Sequence, residues 1–154
     1  MNHGQLFAGS FAVLLAASLT TAPVSAACAF TNTVALSFPV YDVSSTSDDN
    51  GTGAFTISCT ANASAMISLS AGGGGSFSPR TMVGPATSVL SYNLYSDASR
   101  TTIWGDGTGG SASVTRALSA GVPLTFTVYA RIFRGQAGVT AGQYSDSVMV
   151  TVAP

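Results

Sequence analysis

Apolar and polar residues alternate with a period of two along most of the chain, the mark of half-buried strands. Val34, Leu36 and Phe38 form a first such set, ended by Pro39. Phe55, Ile57 and Cys59 form a second, Ile67 and Leu69 a third, and Leu90, Tyr92 and Leu94 a fourth. A short extended piece is expected at Thr81, Met82 and Val83, and a weaker strand over residues 111–118. The clearest alternation runs over residues 124–132, and Val148, Val150 and Val152 close the series. Between these runs stand turn-forming segments: the polar stretch 42–53, the glycines at 72–75 and the Gly-rich stretch 105–110. Helical periodicity is absent after the N-terminal region. The pattern predicts an all-β, antiparallel sandwich with an immunoglobulin-like layout and six to eight strands. Its last strand has a valine face, and only Ala153 and Pro154 follow it. An apolar strand without a neighbour invites pairing with another chain, which raises the question whether this strand awaits a partner; the strand count alone does not separate a complete sandwich from an incomplete one.

Composition narrows the class. Of 154 residues, 46% are hydrophobic and 7% charged, the opposite of a disordered chain. A net charge of −1 gives no electrostatic case for binding nucleic acid or an anionic membrane. The first residues carry an apolar run from Leu6 to Leu19, then Pro23 and the small-residue pattern Val24-Ser25-Ala26. This predicts a secretory signal over residues 1–26, although its start holds no Lys or Arg, and a single domain over 27–154. The run is short for a transmembrane helix, so no membrane insertion of the mature chain is expected. Cys28 and Cys59 are the only cysteines. In an exported protein such a pair predicts a disulfide, here tying the start of the first strand to the end of the second.

Catalysis finds little to work with. The chain has no Lys or Glu, and its one histidine, His3, lies in the expected signal. That removes the common general bases, Ser–His and Cys–His pairs, a Schiff-base lysine and imidazole metal ligands. No enzyme activity and no cofactor are expected. Asp48-Asp49 reads as two solvated carboxylates; Asp48-x-Asn50-Gly51 faintly resembles a calcium loop but lacks the remaining ligands. The glycine clusters lack the Lys and helix start of a phosphate cradle. Trp104 with Tyr92 reads either as a binding platform or, by preference, as core. Residues 133–139 read as a contact tip or, by preference, an ordinary long loop. Asn50-Gly51-Thr52 and Asn62-Ala63-Ser64 match the glycosylation sequon.

Specific strings then accumulate. LSYNLYSDASRTTIWGDGTGG (residues 90–110), FTVYARI (126–132) and AGQYSDSVMVTV (141–152) resemble the spore coat protein U domain family. So do the early Cys28, FPVYD (38–42) and GAFTISC (53–59). The departures are Ala130 and Pro39, each where the family has glycine. The resemblance covers the region after the expected signal. It implies a secreted subunit of a pilus or coat, similar to the subunits assembled by the archaic chaperone–usher route. Such subunits resemble immunoglobulin domains lacking their last strand, so the resemblance implies an incomplete sandwich, completed first by a periplasmic chaperone at an outer-membrane usher and then by the N-terminal extension of another subunit.

With cleavage before Ala27, one residue precedes Cys28. The chain is then expected to accept a strand without offering one, which suits a tip, terminal or stand-alone position. Val148, Val150 and Val152 are the candidate residues of the strand-accepting groove. The alternative from another class is a self-contained extracellular binding sandwich, which would be a stable monomer with its last strand paired on both sides.

Overall fold

The structure is a computed structural model and describes residues 26–154. The expected signal therefore lies outside the described residues, apart from Ala26. Eight strands follow in chain order: β1 (Cys28–Ser37), β2 (Asp49–Cys59), β3 (Ala63–Leu69), β4 (Arg80–Val83), β5 (Val89–Tyr95), β6 (Val114–Leu118), β7 (Leu124–Ile132) and β8 (Val150–Ala153). All of their pairings are antiparallel. They form a five-stranded sheet in the order β1-β2-β7-β5-β4 and a three-stranded sheet in the order β6-β3-β8. A single 3-10 turn, Pro85–Thr87, joins β4 to β5. No helix among the described residues is long and apolar enough to cross a membrane.

Alternation explains the core. Phe55, Ile57 and Cys59 of β2, Ile67 and Leu69 of β3, Leu90, Tyr92 and Leu94 of β5, and Phe126, Val128, Ala130 and Ile132 of β7 are all buried. Trp104, between β5 and β6, completes an aromatic cluster with Phe55 and Phe126, with ring centroids 5.4–6.4 Å apart. Its indole N–H donates to the Ile67 carbonyl at 3.1 Å, so one side chain links the two sheets. Trp104 is thus core and not an exposed platform.

The Cys28–Cys59 disulfide forms as expected, between residues that are also register partners of β1 and β2. β1 is otherwise a lightly held edge. Val34 is 56% exposed, while Leu36 and Phe38 are half-buried, so the three do not share one buried face. A register shift between Val34 and Ser37 separates them, the local kink of a β-bulge. Beyond it the chain lies down on β2 because two glycines leave room. A Cβ at Gly53 would come 2.9 Å from the Leu36 Cβ, and one at Gly51 would come 2.6 Å from the Ser37 carbonyl oxygen.

Several boundaries differ from the pattern: β6, expected over residues 111–118, is regular only over Val114–Leu118. Residues 49–53, expected as loop, are the first part of β2 and pair with β7 from Asp49↔Ile132 to Gly53↔Val128. The closing strand, expected from Ser147, is regular only over Val150–Ala153. The segment before it belongs to the other sheet. Ser145 exchanges two backbone hydrogen bonds with Val83 at the edge of β4, at 3.0 and 3.1 Å. Four residues later the Met149 carbonyl accepts the Ser70 N–H at 2.9 Å, and β8 continues along β3. The closing segment therefore crosses from one sheet to the other.

Candidate functional site

β1 is one outer strand of the large sheet, with β4 at the other edge, and β8 is one outer strand of the small sheet, with β6 at the other edge. Each is paired along one side, β1 to β2 and β8 to β3, and no other strand among the described residues covers the second side. A strand edge of this kind presents a row of unpaired backbone N–H and C=O groups.

Both strands open onto one cleft of about 1370 Å³. One wall is residues 33–43, carrying Leu36 and Phe38 over the glycine track of β2. The opposite wall is residues 139–146 together with Val148 and Val150. Its floor is core: Phe55, Leu90, Tyr92, Leu94, Val128 and Ile132. Phe38 meets Tyr92 edge-on, with centroids 6.3 Å apart.

Of the three valines expected in a groove, Val148 and Val150 line this cleft. Val152 pairs with Ile67 and packs half-buried against the core without lining it. Val148 precedes the regular strand.

Polar groups fix the walls. Tyr92 Oη donates to Asp146 Oδ2 at 2.6 Å, while Asp146 Oδ1 accepts the N–H groups of Gly73 and Ser147, each at 2.8 Å. Burial above all, and then the Asp146 carboxylate, push the Tyr92 hydroxyl well above the ordinary tyrosine range. Behind this pair lies Arg80, fully buried. Burial pulls its pKa down, while Tyr92, Asp146 and Asp106 support its charge. At the other end, Tyr41 Oη donates to the Phe133 carbonyl at 3.1 Å and accepts the Gln136 N–H at 2.9 Å. Tyr144 Oη lies 2.7 Å from the Thr140 carbonyl and 2.8 Å from Ser88 Oγ.

Residues 133–139 are therefore a docked loop: the Gln136 carboxamide is bound to the backbone of Ser91. Asp48 pairs with Arg131 at 3.5 Å and accepts the Arg134 N–H at 3.0 Å, so it is not free as a loop ligand. No group of three His, Cys, Asp or Glu side chains that could hold a metal occurs among the described residues. Apolar walls beside open strand edges suit binding of extended backbone: hydrogen bonds from the edges, pockets for alternate side chains. Sequence reasoning assigned no role to Tyr41, Arg80 or Gln136, although Tyr41 lies in the FPVYD string and Gln136 in the 133–139 segment; their hydrogen-bond partners in the fold give them one.

Comparison with known proteins agrees with this architecture. The chain is 35% identical over 109 residues to Protein U of Myxococcus xanthus, covering 66% of this chain and 59% of that protein. It thus spans about three fifths of the length of that curated relative. Among solved structures it is similar to a chain of the chaperone–tip adhesion subunit pre-assembly complex from the archaic chaperone–usher Csu pili of Acinetobacter baumannii. The TM-score is 0.53 at 20% identity, covering 84% of this chain and 40% of the other. That likeness supports the immunoglobulin-like sandwich. The family model of the Spore Coat Protein U domain matches residues 13–151, nearly the whole sequence and every strand but the last residues of β8. With the strand order, the disulfide and the open cleft in place, this match makes the chain a member of the spore coat protein U domain family.

Proposed function

We propose that the chain is a structural or adhesive subunit of a secreted surface assembly, a pilus or coat, and that its cleft is completed by a β-strand from another polypeptide. One observation carries the reading: unpaired strand edges of opposite sheets, β1 and β8, flank a single apolar cleft. A strand laid there covers Leu36, Phe38, Val148 and Val150 and satisfies open backbone groups. Family membership and the likeness to a subunit complex of chaperone–usher pili support a periplasmic chaperone as the first donor, at an outer-membrane usher, and another subunit as the second. The route is export through a signal over residues 1–26. Cleavage before Ala27 leaves one residue ahead of Cys28 and so no strand to donate, which suits a tip, terminal or stand-alone position; N-terminal sequencing of the secreted chain tests that, and a start near Ser10 rules it out.

The test of the cleft is a synthetic 15-residue peptide alternating valine and threonine, added to the purified chain. Saturable binding with a raised unfolding temperature is expected. A stable monomer that ignores every such peptide overturns the reading.

A further inference from the structure

On the reading that the cleft receives a strand, we propose that Tyr41 and Gln136 are positioning residues: together they hold its two walls apart before the strand arrives. Tyr41 stands in the wall that continues from β1, and Gln136 in the loop that leads into the opposite wall, residues 139–146. The two meet through the Gln136 N–H, which donates to Tyr41 Oη.

The Gln136 side chain then turns onto β5. Its Oε1 accepts the Ser91 N–H at 2.6 Å, and its Nε2 donates to the Ser91 and Phe133 carbonyls, each at 2.8 Å. The ladder between β5 and β7 has its last residue pair at Tyr92↔Ile132, where β7 departs. One residue on, the Ser91 carbonyl still accepts the Phe133 N–H at 3.4 Å, and the carboxamide joins it there by bonding both backbone groups of Ser91. Both walls are thereby anchored to β5, an inner strand held on its other side by β4.

Such an anchor has a purpose in this cleft. Leu36, Phe38, Val148 and Val150 all line it, and apolar linings in water gain by closing on one another. A closed cleft does not bind, and the apparent Kd is the intrinsic value divided by the fraction of molecules that are open. A wall spacing set in advance removes that penalty.

The experiment measures binding of the alternating valine–threonine peptide to the full chain and to its Tyr41→Phe and Gln136→Ala variants. Each variant is expected to raise Kd about tenfold, as when about nine molecules in ten are closed. Association slows, and the peptide-free variants bind less of a hydrophobic dye than the native chain. The double variant is expected to be little worse than either single one, because the two side chains act as one clamp. Tyr41→Phe removes a single hydroxyl and keeps the ring, so it carries the test if Gln136→Ala does not fold. Unchanged Kd with a lower unfolding temperature of free and bound forms alike overturns the clamp. Failure of the native chain to bind the peptide overturns the strand-accepting reading instead.

Discussion

The guanidinium of Arg80 sits out of water among oxygens that are not carboxylates. Nε and Nη2 donate to the Ser70 carbonyl at 3.1 and 2.9 Å, Nη2 also to the Trp104 carbonyl at 2.7 Å, and Nη1 to Asn93 Oδ1 at 2.9 Å. The Phe77 ring lies 5.1 Å away. A buried charge is tolerated only when its donors are used in this way. The fork ties the end of β3, the start of β4, β5 and the Trp104 segment into one joint. Lysine carries the charge but not the planar fork. Arg80→Lys is expected to destabilise the protein by about 3 kcal/mol, since buried carbonyls lose their donors. A urea midpoint in the presence of saturating peptide checks this. Nothing in the alternation marks Arg80, because a period-two reading counts arginine as an outward residue. Tyr92 adds a pH dependence. Its folded pKa is raised, so the folded state keeps the phenol proton where the unfolded chain loses it. Its contribution is complete below about pH 10 and declines as pH rises above that value. Tyr92→Phe is expected to flatten part of the alkaline loss of stability in a pH series of unfolding curves.

At the level of the strand, legibility tracked how evenly each element alternates. β7 and β5 stand where the pattern places them because their inward residues, Phe126 to Ile132 and Leu90 to Leu94, are all apolar and buried. The start of β2 was hidden by Asp49, Asn50, Gly51 and Gly53, residues typical of turns. Here glycine serves close packing beneath Leu36 and Phe38. Alternation overextends the closing strand because it does not say which sheet a residue joins. The cleft is legible only in part: Val148 and Val150, which line it, stand on the alternating valine face, whereas the wall from residues 33–43 depends on a bulge that no period reveals. β1 shows what holds an element with little burial. It rests on pairing to β2 and on the disulfide. Replacing Cys28 and Cys59 by serine is expected to cost about 3–4 kcal/mol on the loop-entropy model, and to release β1 first. Thermal unfolding, with limited proteolysis to locate the earliest cut, measures both.

For the molecule as a whole, the sandwich is lopsided: five strands face three, and the cleft lies where the smaller sheet has no further strand. A carboxylate in that cleft would need a partner that an apolar strand does not bring. Val150→Asp is expected to abolish peptide binding and to block secretion or assembly in the native host. Normal surface assembly of that variant counts against strand complementation. The same substitution outside the cleft, at the exposed Met149, is expected to leave assembly intact.

If the proposed assembly is a fibre, its subunits are pulled upon, and the crossing of the closing segment bears on how this one would yield. That segment is bonded to β4 at Ser145 and to β3 from Met149 onward, so its backbone is common to both layers. Traction on a strand seated beside β8 would pass into the two sheets at once. The layers would then be sheared against each other, with ladders failing together, and not peeled apart one bond at a time. The crossing acts as a rivet, and mechanical toughness is its consequence.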